Sequence, residues 1–142
     1  MSDASARLVE VFRDFGGEAL RDVWVFDQRT HESHYVRDDV AAALDSVDVS
    51  RFIDNERYGY VTRHTYEALY YAEYSYTVRG FDSFEQFRTF VGPHSIGVLA
   101  GFDRSDEGRD FARLDDAVQR LGDELDFSRL LPTVVDSTSD GL

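Results

Sequence analysis

Two histidines lie close together in the sequence, and histidine is the residue best suited here to bind a metal ion. His31 and His34 are three positions apart, with Glu32 between them. On a helix this spacing would let both imidazoles share one ion. The segment is instead typical of a turn followed by a strand, where side chains three apart face opposite ways. We therefore predict solvated histidines, no metal site and no cofactor.

No motif for phosphate binding or nucleophilic catalysis is present. The segment from Gly92 to Gly97 contains glycines but no lysine and no Gly-Lys-Ser/Thr ending, so it is typical of a tight hairpin. A Gly-x-Ser-x-Gly elbow does not occur. Asp115 and Asp116 are adjacent, and adjacent helical residues do not face each other, which favours a solvated helix face. We predict that the protein is not an enzyme.

Aromatic residues and arginines remain as the functional signal. Seven of the eight tyrosines lie between Tyr58 and Tyr76. A strand from Tyr70 to Arg79, a turn over residues 80–83 and a return strand to Val91 would pair Arg79 with Phe84. In that register one sheet face carries aromatic rings and guanidinium groups, the residues that protein interfaces concentrate. The predicted interface residues are Arg79, Phe84, Arg88 and Phe90.

Two alternatives for these aromatic residues stay open. Helices could cover both sheet faces, which would make the same four residues part of the core. The tyrosines could also line a small-molecule pocket, since each supplies an apolar ring and a hydroxyl group. The candidate pocket residues are Tyr66, Tyr70, Tyr74 and Tyr76.

The charge balance predicts a salt-rich environment. The chain has 28 acidic and 15 basic residues, a net charge of −13, no cysteine and no lysine, so every basic residue is arginine. A dense acidic surface is tolerated at high salt, because the Debye length falls to about 3 Å at 1 M. The same acidity argues against binding to the phosphate backbone of nucleic acids. The N-terminus lacks the features of a signal peptide, and no apolar stretch could span a membrane, so we expect a cytoplasmic protein.

The elements that must position these residues alternate between helices and strands. Residues 5–19 and 111–125 have apolar residues at helical spacing, and residues 22–26, 34–36, 84–91 and 95–102 are typical of strands. Together with a helix after Asp38 and the strand from Tyr70, the order is α-β-β-α-β-β-β-α. This predicts an α+β fold with a mainly antiparallel five-stranded sheet and packed helices. Residues 1–135 form one domain, and residues 136–142 are predicted to be a disordered tail.

This element order resembles the roadblock/longin-type and profilin-like folds. The chain also resembles a group of uncharacterised small acidic haloarchaeal proteins, through the segment Tyr35-Val36-Arg37-Asp38-Asp39-Val40. That resemblance implies a source and a fold and no chemistry. The sequence therefore predicts a regulatory or scaffold module that contacts proteins, first of all a second copy of itself, and the alternative is a small-ligand sensory domain.

Overall fold

The computed structural model describes residues 2–133, and the predicted tail at 136–142 lies outside the described residues. It confirms the predicted fold class and element order, with the middle helical region divided into two helices. Short 3₁₀ turns follow α1 and α4, at Gly17–Ala19 and Phe127–Leu130. The elements are α1 Asp3–Gly16, β1 Leu20–Phe26, β2 His31–Val36, α2 Asp38–Leu44, α3 Val49–Tyr70, β3 Tyr76–Gly80, β4 Phe84–Val91, β5 Ile96–Asp103 and α4 Phe111–Glu124.

The five strands form one antiparallel sheet in the order β2-β1-β5-β4-β3. β5 is the central strand and pairs with both β1 and β4, so that Val98 lies opposite Val25 on one side and Thr89 on the other. β2 and β3 are the two edge strands. The sheet therefore places β5 at its centre, and within residues 2–133 no strand pairs with the outer side of β3.

One face of the sheet is covered by α1 and α4. Both helices present apolar residues at spacings of three and four, as the sequence predicted, and these side chains are buried against alternate residues of the central strands. The main buried residues of this layer are Leu8, Phe12, Leu114, Val118 and Leu121 from the helices and Val23, Val25, Phe87, Val98, Ala100 and Phe102 from the sheet.

The opposite face is covered by α2 and the first part of α3. Its core is smaller and more aromatic, and it includes the ring of Tyr60 at 4.7 Å from that of Phe90. The buried residues are Trp24, Phe26, Ile53, Tyr60, Phe90 and Leu99. Helices thus cover both faces of the sheet, which was the alternative that the sequence left open.

The predicted strand from Tyr70 to Arg79 is wrong in its first half. α3 continues as a helix to Tyr70, Tyr71 adopts the left-handed conformation with φ 56°, and β3 begins only at Tyr76. Tyrosine is enriched in strands, and the tyrosines of this segment fall on several sides of α3 and give no one-sided helical pattern. The sequence pattern therefore indicated a strand where α3 ends and the chain forms an irregular connection to β3.

The predicted pairing of β3 with β4 is also wrong, by two residues. Arg79 lies opposite Gln86 and Thr77 opposite Arg88, where the sequence analysis paired Arg79 with Phe84. A two-residue hairpin requires positive φ angles, and no residue from Gly80 to Phe84 has one. Because side chains alternate with a period of two, this two-residue difference leaves each residue of β3 and β4 on the predicted face of the sheet.

Tyr71→Gly should stabilise the fold by about 0.5–1 kcal/mol, because the left-handed conformation costs a tyrosine more than a glycine. Tyr71 is 98% exposed in the single chain, so its removal loses little packing within the protomer. The midpoint of urea unfolding measures the effect. Tyr70→Gly is the matched control: its residue is helical, and glycine there should destabilise the protein by about 1 kcal/mol. Destabilisation by both variants would contradict the prediction.

Candidate interaction surface

The second half of α3 extends beyond the sheet. The buried residues of this helix are Ile53, Glu56, Gly59 and Tyr60, and none of its residues after Tyr60 is buried. Arg63 donates a hydrogen bond to the Ser95 hydroxyl in the turn between β4 and β5, at 3.0 Å. The helix therefore passes the ends of the strands at this turn, and its last two turns are surrounded largely by solvent.

Exposed hydrophobic side chains concentrate on α3, on Tyr71 directly after it, and on Phe81 in the turn after β3. Within the described residues, Val47 is the one large exposed hydrophobic residue outside the segment from Tyr58 to Phe81. Single exposed apolar residues are normal on a protein surface, but a group of them marks an interaction site. The exposed group consists of Tyr58, Val61, Tyr66, Leu69, Tyr70, Tyr71 and Phe81.

The same segment is poor in acidic residues. Residues 58–81 contain two acids, Glu67 and Glu73, and two arginines, whereas the whole chain has 28 acids and 15 basic residues. Glu67 is also engaged, since its carboxylate accepts a hydrogen bond from the Tyr74 backbone at 2.9 Å. We call the exposed residues of the segment from Tyr58 to Phe81 the acid-poor surface. It is an apolar, nearly neutral region on a strongly negative molecule.

The edge of the sheet adjoins this surface. β3 pairs with β4 on one side, and in the described residues no strand pairs with its other side. An edge strand presents backbone N–H and C=O groups to which another chain can add a strand. Natural edges are commonly protected by proline or lysine, and Tyr76–Gly80 contains neither. The acid-poor surface thus combines an exposed helix with a free strand edge.

A buried ion cluster fixes α3 over β3 and β4. Glu56 is 1% exposed, and its carboxylate accepts hydrogen bonds from Arg79 on β3 and from Arg88 on β4. Gly59 leaves space for the Arg88 guanidinium under the helix, because a Cβ atom there would lie 2.6 Å from Arg88 Cζ. Since both cations meet one carboxylate, this cluster determines where the helix crosses the sheet.

Aromatic rings surround the rest of this cluster. Arg63 and Arg88 lie on the Phe90 ring, with guanidinium carbons 5.0 and 5.4 Å from its centroid. The Nε atoms of both arginines, and the Tyr60 hydroxyl, have no hydrogen-bond partner among the described residues. The cation–π contacts offset part of the free-energy cost of leaving these buried arginine groups without hydrogen bonds. Burial raises the pKa of Tyr60 to about 12, so its hydroxyl stays neutral at physiological pH.

The four interface residues predicted from the sequence lie largely behind the acid-poor surface. Arg88 and Phe90 are buried under α3, and Arg79 is held by Glu56 and Gln86. Phe84 is half-buried, stacked on Phe81, with Arg21 over its ring. Their contact with a partner stays a prediction, and in this chain they support α3 and β3.

The four predicted pocket residues do not come together. Tyr66 stacks on Tyr74, with ring centroids 5.8 Å apart, and contacts Tyr70, so these three form one cluster at the end of α3. Tyr76 lies on the other sheet face, against Phe87. The three clustered rings hold the connection between α3 and β3 against the helix.

Sequence reasoning missed Glu56 and the outer residues of α3. Tyr58, Val61 and Leu69 lie at i, i+3 and i+11, a spacing that would have indicated one helical face once the segment was read as a helix. Glu56 follows Ile53 by three residues and therefore shares its buried face. Both signals can be recognised only if the segment of α3 is known to be a helix, and its many tyrosines favour a strand instead.

The histidines and acidic residues form no metal site within the described part of the chain, where no group of three or more is arranged to hold an ion. His34 instead joins two elements: its ring nitrogens lie 2.7 Å from the Ser5 hydroxyl and 2.7 Å from the Leu130 carbonyl oxygen. No helix in the described residues is long and apolar enough to cross a membrane.

Comparisons with known proteins give a family and two distant structural likenesses. A family model described as a domain of unknown function, DUF7522, matches residues 6–123. No curated protein matches the chain. A solved structure described as MglB with tetrameric arrangement has 16% sequence identity and a TM-score of 0.49, covering 88% of this chain and 89% of that one. A structure of the gliding protein MglB from Thermus thermophilus has 15% identity and a TM-score of 0.45, covering 88% and 95%. Likenesses at these values do not identify a function.

Proposed function

We propose that this chain, which belongs to the DUF7522 family, is a non-enzymatic regulatory or scaffold module that forms a homodimer through its acid-poor surface. The observation that carries the proposal is the coincidence of three features in one segment. Residues 58–81 hold almost all of the exposed large hydrophobic side chains, few acids and a free strand edge. Each feature favours a protein contact, and all three occur in one segment of the chain.

Charge favours a second copy of the chain as the partner. Two chains of net charge −13 repel each other at most orientations, because their acidic surfaces meet. The acid-poor surface can face its own copy without placing many carboxylates together, and a two-fold axis brings identical patches into contact. Full burial of a side chain such as Val61 or Leu69 contributes about 1.5–3 kcal/mol before the costs of association.

The acidic composition supports a high-salt cytoplasm as the setting. Salt screens the repulsion between the two copies and strengthens the burial of apolar groups. Within this proposal, Arg79, Phe84, Arg88 and Phe90 act from behind the interface by holding α3 and β3 in place. The small-ligand alternative with Tyr66, Tyr70, Tyr74 and Tyr76 has less support, since Tyr76 lies on the opposite sheet face.

Val61→Glu should convert the dimer into a folded monomer, because it places a carboxylate at the centre of an apolar contact. The measurement is the molar mass from light scattering in about 2 M KCl, where surface charges are screened. Val47→Glu is the matched control: Val47 is also an exposed valine, outside the acid-poor surface, and this variant should remain a dimer. Circular dichroism checks that both variants fold.

Two results would contradict the proposal. A monomeric wild-type protein at micromolar concentration in high salt would exclude the homodimer. A dimer that persists in Val61→Glu but dissociates in Val47→Glu would place the interface around Val47 and the start of α3 and would exclude Val61 from it.

A further inference from the structure

A small cavity lies between α2, the start of α3 and the sheet. Its volume is about 180 Å³, and it is partly open to solvent. Most of the walls are apolar, with the side chain of Arg21 as the exception, and its guanidinium lies over the Phe84 ring, 4.6 Å from the centroid. The floor is formed by Asp22, Gln86 and Gly101 of the sheet. A cavity of about 150 Å³ can hold one benzene ring, so this one has room for a ring with a short substituent. The apolar lining residues are Val40, Ala43, Leu44, Val47, Phe52 and Phe84.

Asp22 is the charged group on the cavity floor, and it is 9% exposed. One carboxylate oxygen accepts a hydrogen bond from the Trp24 indole nitrogen at 3.0 Å. Gly101 makes space for the carboxylate, since a Cβ atom there would lie 2.6 Å from Asp22 Oδ1. Burial raises the pKa of Asp22, because the ionised form loses its hydration.

The surrounding arginines are committed to another carboxylate. Arg21 and Arg37 both donate hydrogen bonds to Asp103, and Arg37 also bonds Asp39. The hydrogen bond from Arg37 holds the pKa of Asp103 below its usual range. Among the described residues Asp22 forms no salt bridge. Asp22, Asp39 and Asp103 therefore share two guanidinium groups, and Asp22 is the one of the three carboxylates that neither guanidinium contacts directly.

We propose that this cavity binds a small organic cation, with its ammonium group on Asp22 and its apolar body between α2 and Phe52. A buried carboxylate without a cation is costly, and an ammonium group that donates hydrogen bonds to it removes that cost. Largely apolar walls with a few polar groups are the usual construction of a small-molecule site, and here Asp22 is the polar group that can receive an ammonium group. The inference goes beyond homodimer formation and does not depend on it, because these residues lie outside the acid-poor surface.

Benzylamine is a suitable probe, because it joins one ring to one ammonium group, and benzyl alcohol is its uncharged counterpart. Trp24 is the single tryptophan of the chain and donates to Asp22, so its fluorescence reports on the site. We expect saturable quenching or enhancement with benzylamine and at least about tenfold weaker binding of benzyl alcohol, given the strength of charge-assisted hydrogen bonds. Asp22→Asn should weaken benzylamine binding by a similar factor while it preserves an acceptor for Trp24.

A second variant tests the site without changing its charge. Ala43 lies at the exposed edge of the cavity, and Ala43→Phe should fill the opening and abolish benzylamine binding. Ala42→Phe is the matched control, because the neighbouring Ala42 is exposed and does not line the cavity; its binding should equal that of the wild type. The proposal is overturned if the wild type gives no saturable response, if benzyl alcohol binds as tightly as benzylamine, or if Ala43→Phe binds as well as Ala42→Phe.

Discussion

Glu56→Ala should lower the free energy of unfolding by about 3–5 kcal/mol, the range measured when one partner of a buried ion pair is removed. Arg88, whose side chain is 7% exposed, would remain under α3 with no carboxylate to neutralise it. Arg79 would lose its strongest contact with the helix. The effect is measured by urea unfolding in a constant high concentration of KCl, followed by circular dichroism.

Glu124→Ala is the matched control for this prediction. Its carboxylate bonds Arg7 at 2.7 Å, a distance typical of a good ion pair, but both side chains are largely exposed. Exposed pairs contribute about 0–1 kcal/mol, so this variant should unfold close to the wild type. Equal losses from the two variants would show that Glu56 is not an important anchor of α3.

The Glu56 cluster also connects stability with the proposed interface. It is the polar contact that ties the middle of α3 to both β3 and β4, and the helix projects beyond the sheet soon after it. A helix that tilts at this point would change the position of Val61 and Leu69 relative to the edge of β3. We therefore expect Glu56→Ala, in the fraction that remains folded, to weaken self-association although Glu56 is not exposed.

The outer helices and the central strands could be predicted from the sequence because their patterns are local. Phe111, Leu114, Val118 and Leu121 repeat at spacings of three and four, and a helix with that stripe must cover a sheet. The strands before and after Gly92 are short, apolar and separated by a turn. In these segments the local preference for helix or strand agrees with the tertiary environment, so the sequence alone is sufficient to predict the element.

The site could not be predicted to the same extent, because it depends on contacts between distant parts of the chain. Glu56 acquires its role only when Arg79 and Arg88 lie on neighbouring strands under the same helix. The concentration of tyrosines was visible in the sequence, but whether they face a partner or the core depends on the choice between helix and strand. The predicted hairpin offers Phe90 as an interface residue, but Phe90 is buried under α3, whereas the exposed Val61 lies on a helix that the sequence pattern did not reveal.

Raising the KCl concentration from about 0.1 M to about 2 M should raise the melting temperature by about 10 °C or more, since the Debye length falls from about 10 Å to below about 3 Å. The net charge of −13 makes the compact state repel itself when it is not screened, and salt also strengthens apolar burial.

A variant with four exposed aspartates replaced by asparagine separates the effect of charge screening from the effect of apolar burial. Asp45, Asp106, Asp116 and Asp123 are exposed and make no side-chain hydrogen bond with another described residue, and their replacement changes the net charge from −13 to −9. If charge repulsion dominates, this variant is more stable than the wild type at low salt and gains less from KCl. A wild-type melting temperature that is flat over this range would remove the basis for a high-salt environment, and an equal gain in both proteins would assign the effect to apolar burial alone.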